Sequence, residues 1–458
     1  MMVHPPLSGT ALIADPIHNY IHFTVPLDSK DPDEKTEKDL IDSPWMQRLR
    51  YIYQLQSARW VYPSAEHSRF QHSLGAMHVA GRFATHLYPT LAETLPDVPS
   101  LPFIEELLRV TALVHDIGHG PFCHFFDHHF LKDFNLTHEH LGQGIVRDAL
   151  RPIIEKLRRS PSGLFNAGEA LNADHIAFLI LKDPRKKSHA YPRWLQLLQP
   201  IIGGLFTADN FDYVLRDSYM CGVAVGPVDI TRLIHYSLMT PQGLTIHKTG
   251  LSALQMFLNT RMYLYTNVYY HRTTRAIDLH LLDIFHDTMK HLFPYNPMKK
   301  FDQYLGLTDW SLLEQVRTWP KSRHGDRRRL GHEWDLVLKR QVKWKMAFST
   351  MLPFNETSPI HLGTPSSLEA RIRRHLPRSV KRAKFRVDIA SKDTRPINVL
   401  NMGQFQIYVY DPSTKTIEKE KLRQFFEYLP ARIVQLRIFA ENHDIDAELT
   451  IAAEKALY

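Results

Sequence analysis

Apolar positions along this chain fall mostly at helical spacing. From Asp42 to about Met289 they recur three or four residues apart, which predicts a mostly helical stretch. Ile104, Leu108, Thr111 and His115 lie on one stripe, so His115 continues an inward-facing surface. Gly118, Gly120 and Pro121 then break that helix. Residues 166–182 and 195–220 predict two further helices, and Leu251–His291 predicts one long helix or a kinked pair. Residues 292–350 begin with Pro and Gly signals and return to helical patterning through Trp310–Trp319 and Glu333–Ser349. A loop rich in Pro, Ser and Thr follows at Leu352–Pro365.

Alternation takes over at the two ends. Ile17–Val25 has the β-branched and aromatic alternation of a short strand or hairpin. Near the C-terminus, Phe385–Ile389, Phe405–Tyr410 and Ile433–Phe439 alternate like strands, while Glu418–Tyr428 and Asp446–Ala456 read as helices. The expected fold is mainly α-helical with a small C-terminal α+β unit. The expected division is a core over 1–290, a helical extension over 291–375 and the α+β unit over 376–458. There is no internal repeat and no low-complexity tract.

Composition narrows the chemistry. The 458 residues hold only Cys123 and Cys221, too few for a disulfide framework or a four-cysteine zinc site. No apolar run is long enough to cross a bilayer and no secretory signal is evident, so the expectation is a cytoplasmic protein without a membrane partner. The net charge of +8 attracts anions such as nucleotides or nucleic acid. The basic clusters Pro184–Lys187, Arg327–Arg329 and Arg371–Arg374 lack interleaved aromatics, so they allow at most weak nucleic-acid binding.

The densest chemistry is Val114–His124, where His115 and Asp116 are adjacent and His119 and His124 follow. A single His-Asp pair is more often structural than metal-binding. A water-activating ion needs further ligands and an open position. His72, where a helix begins, and Asp209, at an acidic helix start, could complete a two-histidine, two-aspartate set. Imidazole and carboxylate together suit Mn, Fe, Co, Ni or Zn, and admit Mg through the carboxylates.

The order His72, His115-Asp116, Asp209 resembles the signature of the HD-domain phosphohydrolases. Asp15–His18, Pro44–Arg50, His67–Gly75, His115–Phe122, Thr137–Glu139 and Phe211–Ser218 are similar to its deoxynucleoside triphosphate triphosphohydrolase branch, over residues of about 12 to 290. The resemblance implies an HD-domain fold, a four-ligand metal site, and His119, His124 and His138 as catalytic histidines. Glu139 would orient an imidazole. It implies Arg69 and Arg261 on phosphate, Tyr269, Tyr213 and Asp217 near the sugar, and Gln54 and Leu55 beside it. Asn210 stands where the family carries a phosphate-binding lysine or arginine. Losing that cation admits a substrate with fewer phosphates, or one held through Arg272 or Arg275.

The expected activity is hydrolysis of deoxynucleoside triphosphates at the α-phosphorus, giving nucleoside and triphosphate. Stepwise removal of single phosphates competes with it, as does a nucleotide-sensing or nucleic-acid-binding role on the same scaffold. Asp42, Gln47 and Arg50 match an activator-reading motif, or pack the N-terminal helix. A homo-oligomer is the expected assembly.

Overall fold

The computed structural model describes residues 9–27, 34–181, 190–226, 228–353, 363–393, 406–419, 421–422 and 432–457. An antiparallel hairpin, Thr10–Asp15 with Asn19–Thr24, opens the chain and drops Ile21 into the core. Two long helices follow. Arg69–Thr94 starts at a capping box in which Ser68 and Gln71 satisfy each other's backbone N–H groups. Leu101–Val114 starts at Ser100, whose hydroxyl accepts from the Phe103 N–H, with Pro102 in its first turn. The two helices pack along their length and bury Phe83, Leu87, Leu107 and Leu108, each worth about 1.5–3 kcal/mol of apolar burial.

Ala208–Cys221 packs against the first of these helices. Gly75 makes that approach possible, since a Cβ there would sit 1.8 Å from Asp212 Oδ1. At the far end Gly222 takes a left-handed φ of 66° and closes the helix.

Several elements differ from the periodicity. The region 195–220 is two helices, Arg193–Gly203 and Ala208–Cys221, because Gly203-Gly204 interrupts the pattern. Only Ala173–Ile180 of 166–182 is helical. The Leu251–His291 stretch is a kinked pair, Leu251–Leu264 and Arg272–Leu292, joined through a π turn at Tyr265–Tyr269. The helical pattern from Glu333 ends at Leu338, where Arg340 takes a φ of 57°, and Lys345–Pro353 is a strand. Ser237–Thr240 and Gly243–His247 form a hairpin inside the region that reads as helical. Its tight turn at Pro241-Gln242 is the sequence signal.

The hairpin belongs to a four-stranded sheet. Tyr408–Asp411 pairs in parallel with Gly243–His247 and antiparallel with Thr416–Glu418. A separate three-stranded antiparallel sheet places Arg432–Ala440 between Lys345–Pro353 and Phe385–Asp393. The helices Pro365–His375 and Asp446–Leu457 cover it, and Leu368, Ile372, Leu436 and Leu449 form its core. Ile407, Val409 and Leu422 join the large helical core instead. The fold is therefore mainly α-helical with a small sheet-containing C-terminal region. Most of Glu418–Tyr428, as well as Phe405 and Pro184–Lys187, lies outside the described residues.

Candidate active site

His72 comes from the first turn of Arg69–Thr94, His115 and Asp116 from the end of Leu101–Val114, and Asp209 from the first turn of Ala208–Cys221. Three helix ends therefore deliver these four side chains to one point. His72 Nε2 lies 3.2 Å from Asp209 Oδ1 and 3.6 Å from Asp116 Oδ2. His115 Nε2 lies 3.2 Å from Asp116 Oδ1 and 3.7 Å from Asp209 Oδ1. The other ring nitrogen of each histidine is already held. His72 Nδ1 meets Asp212 Oδ2 at 2.8 Å and His115 Nδ1 meets the Ala112 carbonyl at 2.7 Å. Those contacts turn both Nε2 atoms inward, as metal-ligating imidazoles require.

Asp212 is fully buried and also meets His18 Nε2 at 2.8 Å and Arg216 at 2.8 and 2.9 Å. Burial disfavours its charge, but Arg216, His18 and His72 hold it well below the carboxylate range. Burial would lower His72, yet its hydrogen bonds with Asp209 and Asp212 raise it to about 10. This crowding of carboxylates around two imidazoles fits a divalent cation, which would relieve it. His72, His115 and Asp209 form a group of donors that could hold an ion, with Asp116 beside them. The donor chemistry does not distinguish Mn, Fe, Co, Ni or Zn.

A second group adjoins the first. His119 is buried between Asp116 Oδ1, 3.4 Å from its Nε2, and Asp127 Oδ2, 3.9 Å from its Nδ1. His138 stacks on it with ring centroids 3.7 Å apart, and His124 stands edge-on at 4.8 Å. Asp127 Oδ2 accepts from His138 Nδ1 at 2.6 Å and lies 3.4 Å from His124 Nδ1. Glu139 Oε1 is 3.4 Å from His138 Nε2, so the tighter orienting carboxylate is Asp127 rather than Glu139. Burial works against a charged His138, but Asp127 and Glu139 raise it above the ordinary histidine value. Burial together with Arg69 and His138 pushes His119 well down, and burial lowers His124. The cluster therefore holds one imidazole raised above its ordinary value beside two that are lowered.

Gly118 permits this arrangement. A Cβ on it would lie 2.0 Å from the His138 carbonyl. The Gly118 carbonyl accepts from Tyr304 Oη at 2.8 Å, and the His119 carbonyl from Arg48 at 2.6 Å.

Arg69 is buried, pairs with Asp116, and places Nε 2.8 Å from Cys123 Sγ. Cys123 and Phe122 both hold left-handed φ values, 51° and 60°. Buried Asp309 secures that turn by accepting from Phe122 N–H at 2.8 Å and from Tyr53 N–H at 2.9 Å. Arg261 is held charged against burial by Tyr213, Tyr265 and Asp209. Asp217 is engaged on both oxygens, by Tyr269 Oη at 2.6 Å and His67 Nε2 at 2.9 Å. Gln54 Oε1 and Asn210 Oδ1 are buried without a hydrogen-bond partner, and Leu55 is buried in the core nearby in sequence. Each orphaned polar atom costs about 1–3 kcal/mol unless a ligand or water meets it.

Arg275 is not free for a phosphate, since it binds Asp388 at 2.6 Å and Asp278 at 3.1 Å. Gln47 donates to the Ile41 carbonyl at 2.7 Å and accepts from Arg50 at 2.7 Å, while Lys38 pairs with Asp42. Asp127, Asp212, His67 and Asp309 were not predicted as site residues. A carboxylate three residues after His124 or Asp209 has no spacing signature of its own.

Residues 69–193 match a family model described as HD domain, and residues 228–347 one described as HD associated region. The chain is 28% identical over 317 residues to "Uncharacterized protein YwfO" of Bacillus subtilis, covering 68% of this chain and 65% of that protein. It is 27% identical over 286 residues to a Dictyostelium discoideum protein named deoxynucleoside triphosphate triphosphohydrolase SAMHD1 homolog, covering 61% and 51%. The chain thus spans less than two thirds of the length of either relative. A crystal structure of a hypothetical protein from Aquifex aeolicus shares the fold, with a TM-score of 0.68 at 24% identity over 98% of this chain and 99% of that one. Among the described residues, no helix is long and apolar enough to cross a membrane.

Proposed function

Because the chain belongs to the HD-domain superfamily, we propose that it is a metal-dependent phosphohydrolase that cleaves deoxynucleoside triphosphates at the α-phosphorus to nucleoside and triphosphate. The observation that carries this is the contact between two clusters. The His72, His115, Asp116 and Asp209 donors touch the histidine cluster through Asp116 and His119, 3.4 Å apart. The relative named a deoxynucleoside triphosphate triphosphohydrolase supports the substrate class.

His72, His115, Asp116 and Asp209 would hold the ion. Bound there, a divalent metal supplies Lewis acidity toward a phosphate oxygen and toward water. The side chains do the rest. Arg69 and Arg261 offer permanent positive charge to the phosphates, with Arg69 fixed by Cys123 and Asp116. His138, whose proton affinity Asp127 raises, supplies the proton that the leaving oxygen needs. His124 is the exposed member, with a side chain 54% accessible, and contacts the incoming nucleotide. Tyr213, Tyr269 and Asp217 form the wall for the sugar, where the Tyr269–Asp217 bond fixes both groups. Gln54 and Asn210 each bury an unmet amide oxygen, and their amide N–H groups can donate to the substrate.

Asn210 supports a second reading, stepwise release of orthophosphate, because it offers dipoles where a cation would grip a long phosphate tail. Product analysis separates the two. Incubation with each deoxynucleoside triphosphate and Mn²⁺ should give nucleoside and intact triphosphate, while accumulating diphosphate and orthophosphate favours the stepwise reading. The double substitution His115→Ala/Asp116→Ala should abolish turnover and remove the bound ion. Unchanged turnover in that variant defeats the assignment.

A further inference from the structure

We propose that His291, His324 and Asp326, none of which belongs to the candidate active site, form a second metal site specific for a transition ion such as Zn²⁺, Co²⁺ or Ni²⁺. His291 lies at the C-terminal end of Arg272–Leu292. His324 caps Gly325–Leu338 and Asp326 lies in its first turn. One donor atom from each side chain falls within 4.8 Å of the other two. Ligands about 2.1 Å from an ion stand roughly 3–4 Å apart, so a small rotation of partly exposed side chains completes the geometry. The two imidazoles face each other edge-on with centroids 5.3 Å apart, and Trp319 backs His291 at 5.8 Å. Among the described residues, none of the three side chains makes a hydrogen bond or ion pair, so binding displaces no hydrogen bond or ion pair.

The surroundings choose the metal. Arg323, Arg327, Arg328 and Arg329 flank His324 and Asp326 in sequence. Their charge opposes a hard cation held only by electrostatics. Two directional imidazole bonds retain a borderline ion in spite of it, which favours Zn²⁺, Co²⁺ or Ni²⁺ over Mg²⁺ or Ca²⁺. Three ligands also leave a coordination position open. His291 and Arg327 both line a cavity of about 530 Å³, with Phe293, Ser311 and Trp319, so the open position has room beside it. An ion here would staple the end of one helix of the associated region to the start of another, and nothing in the proposed hydrolysis uses it.

Calorimetric titration of the metal-depleted full chain with Zn²⁺ and Co²⁺, with metal content measured after dialysis, tests the site. The wild type should hold one more equivalent than His291→Ala/His324→Ala. That equivalent should persist in His115→Ala/Asp116→Ala, which loses a different one. Asp326→Asn alone should weaken it by roughly tenfold or more, in line with the 10–100-fold cost typical of losing even an outer-shell partner. Coincident melting curves of the metal-depleted proteins establish that the surface variants fold, and added Zn²⁺ should then raise the wild-type melting temperature above that of His291→Ala/His324→Ala. Equal stoichiometry and affinity in the wild type and His291→Ala/His324→Ala overturns the proposal.

Discussion

Asp127 biases the proton affinity of His138 above that of its neighbouring imidazoles. Its 2.6 Å contact raises His138, while burial, Arg69 and His138 lower His119. A proton donor works below its own pKa, so an activity that needs protonated His138 falls on the alkaline side as that proton is lost. Asp127→Asn removes the charge that raises His138. The alkaline limb of kcat should then move to lower pH, and kcat should drop by roughly 10²–10⁴-fold as the acid is lost. A pH–rate profile of the variant checks this, and an unmoved limb excludes His138 as the proton donor. The four proposed metal ligands could be picked out in the sequence because they are histidines and aspartates in a recognisable order. Asp127 and Asp212 could not. Each acts through a hydrogen bond to another side chain, and such a bond leaves no period or spacing in the text.

At the scale of elements, the site depends on a helix break that leaves no room for a methyl group. Gly118→Ala places a carbon on the His138 carbonyl and near Gly142 N–H, so His138 must shift. Overpacking of this kind costs roughly 1–3 kcal/mol, and denaturant titration measures it. Gly142→Ala is the control on the facing helix, where the added carbon meets Ile117 at 3.7 Å, an ordinary contact. It should retain both stability and activity. The helix Leu101–Val114, the N-terminal hairpin and the strands Phe385–Asp393 and Arg432–Ala440 were legible in the sequence. The Lys345–Pro353 strand was not, because its helical-looking run is captured by Arg432–Ala440 after Arg340 turns the chain. The kink at Tyr265–Tyr269 was left open by periodicity, which gives a face but not the π turn that shifts it.

At the scale of the whole molecule, the large core holds Glu106 as a buried carboxyl with no hydrogen bond among the described residues. Neither oxygen of Glu106 has a hydrogen bond, and burial together with Glu37 raises it well above its usual value. A raised folded-state pKa means the native state keeps its proton after the unfolded chain has lost it. Stability therefore falls as pH rises from the usual glutamate range to the folded value, with a slope of about 1.4 kcal/mol per pH unit for one proton. Glu106→Gln removes that proton-linked loss of stability. Denaturation across pH 4 to 8 should show a flatter profile for the variant and a gain over wild type at pH 8, and parallel profiles refute the assignment.

The parallel pairing of Thr245–His247 with Tyr408–Tyr410 closes a sheet across much of the chain. A ribosome delivers the proposed ligands at 72, 115, 116 and 209 long before it delivers residue 408. Throughout that interval the Gly243–His247 edge is an open template for any extended peptide. The proposed metal ligands emerge early, but the chain must wait for its C-terminal part before that edge is safe from other strands.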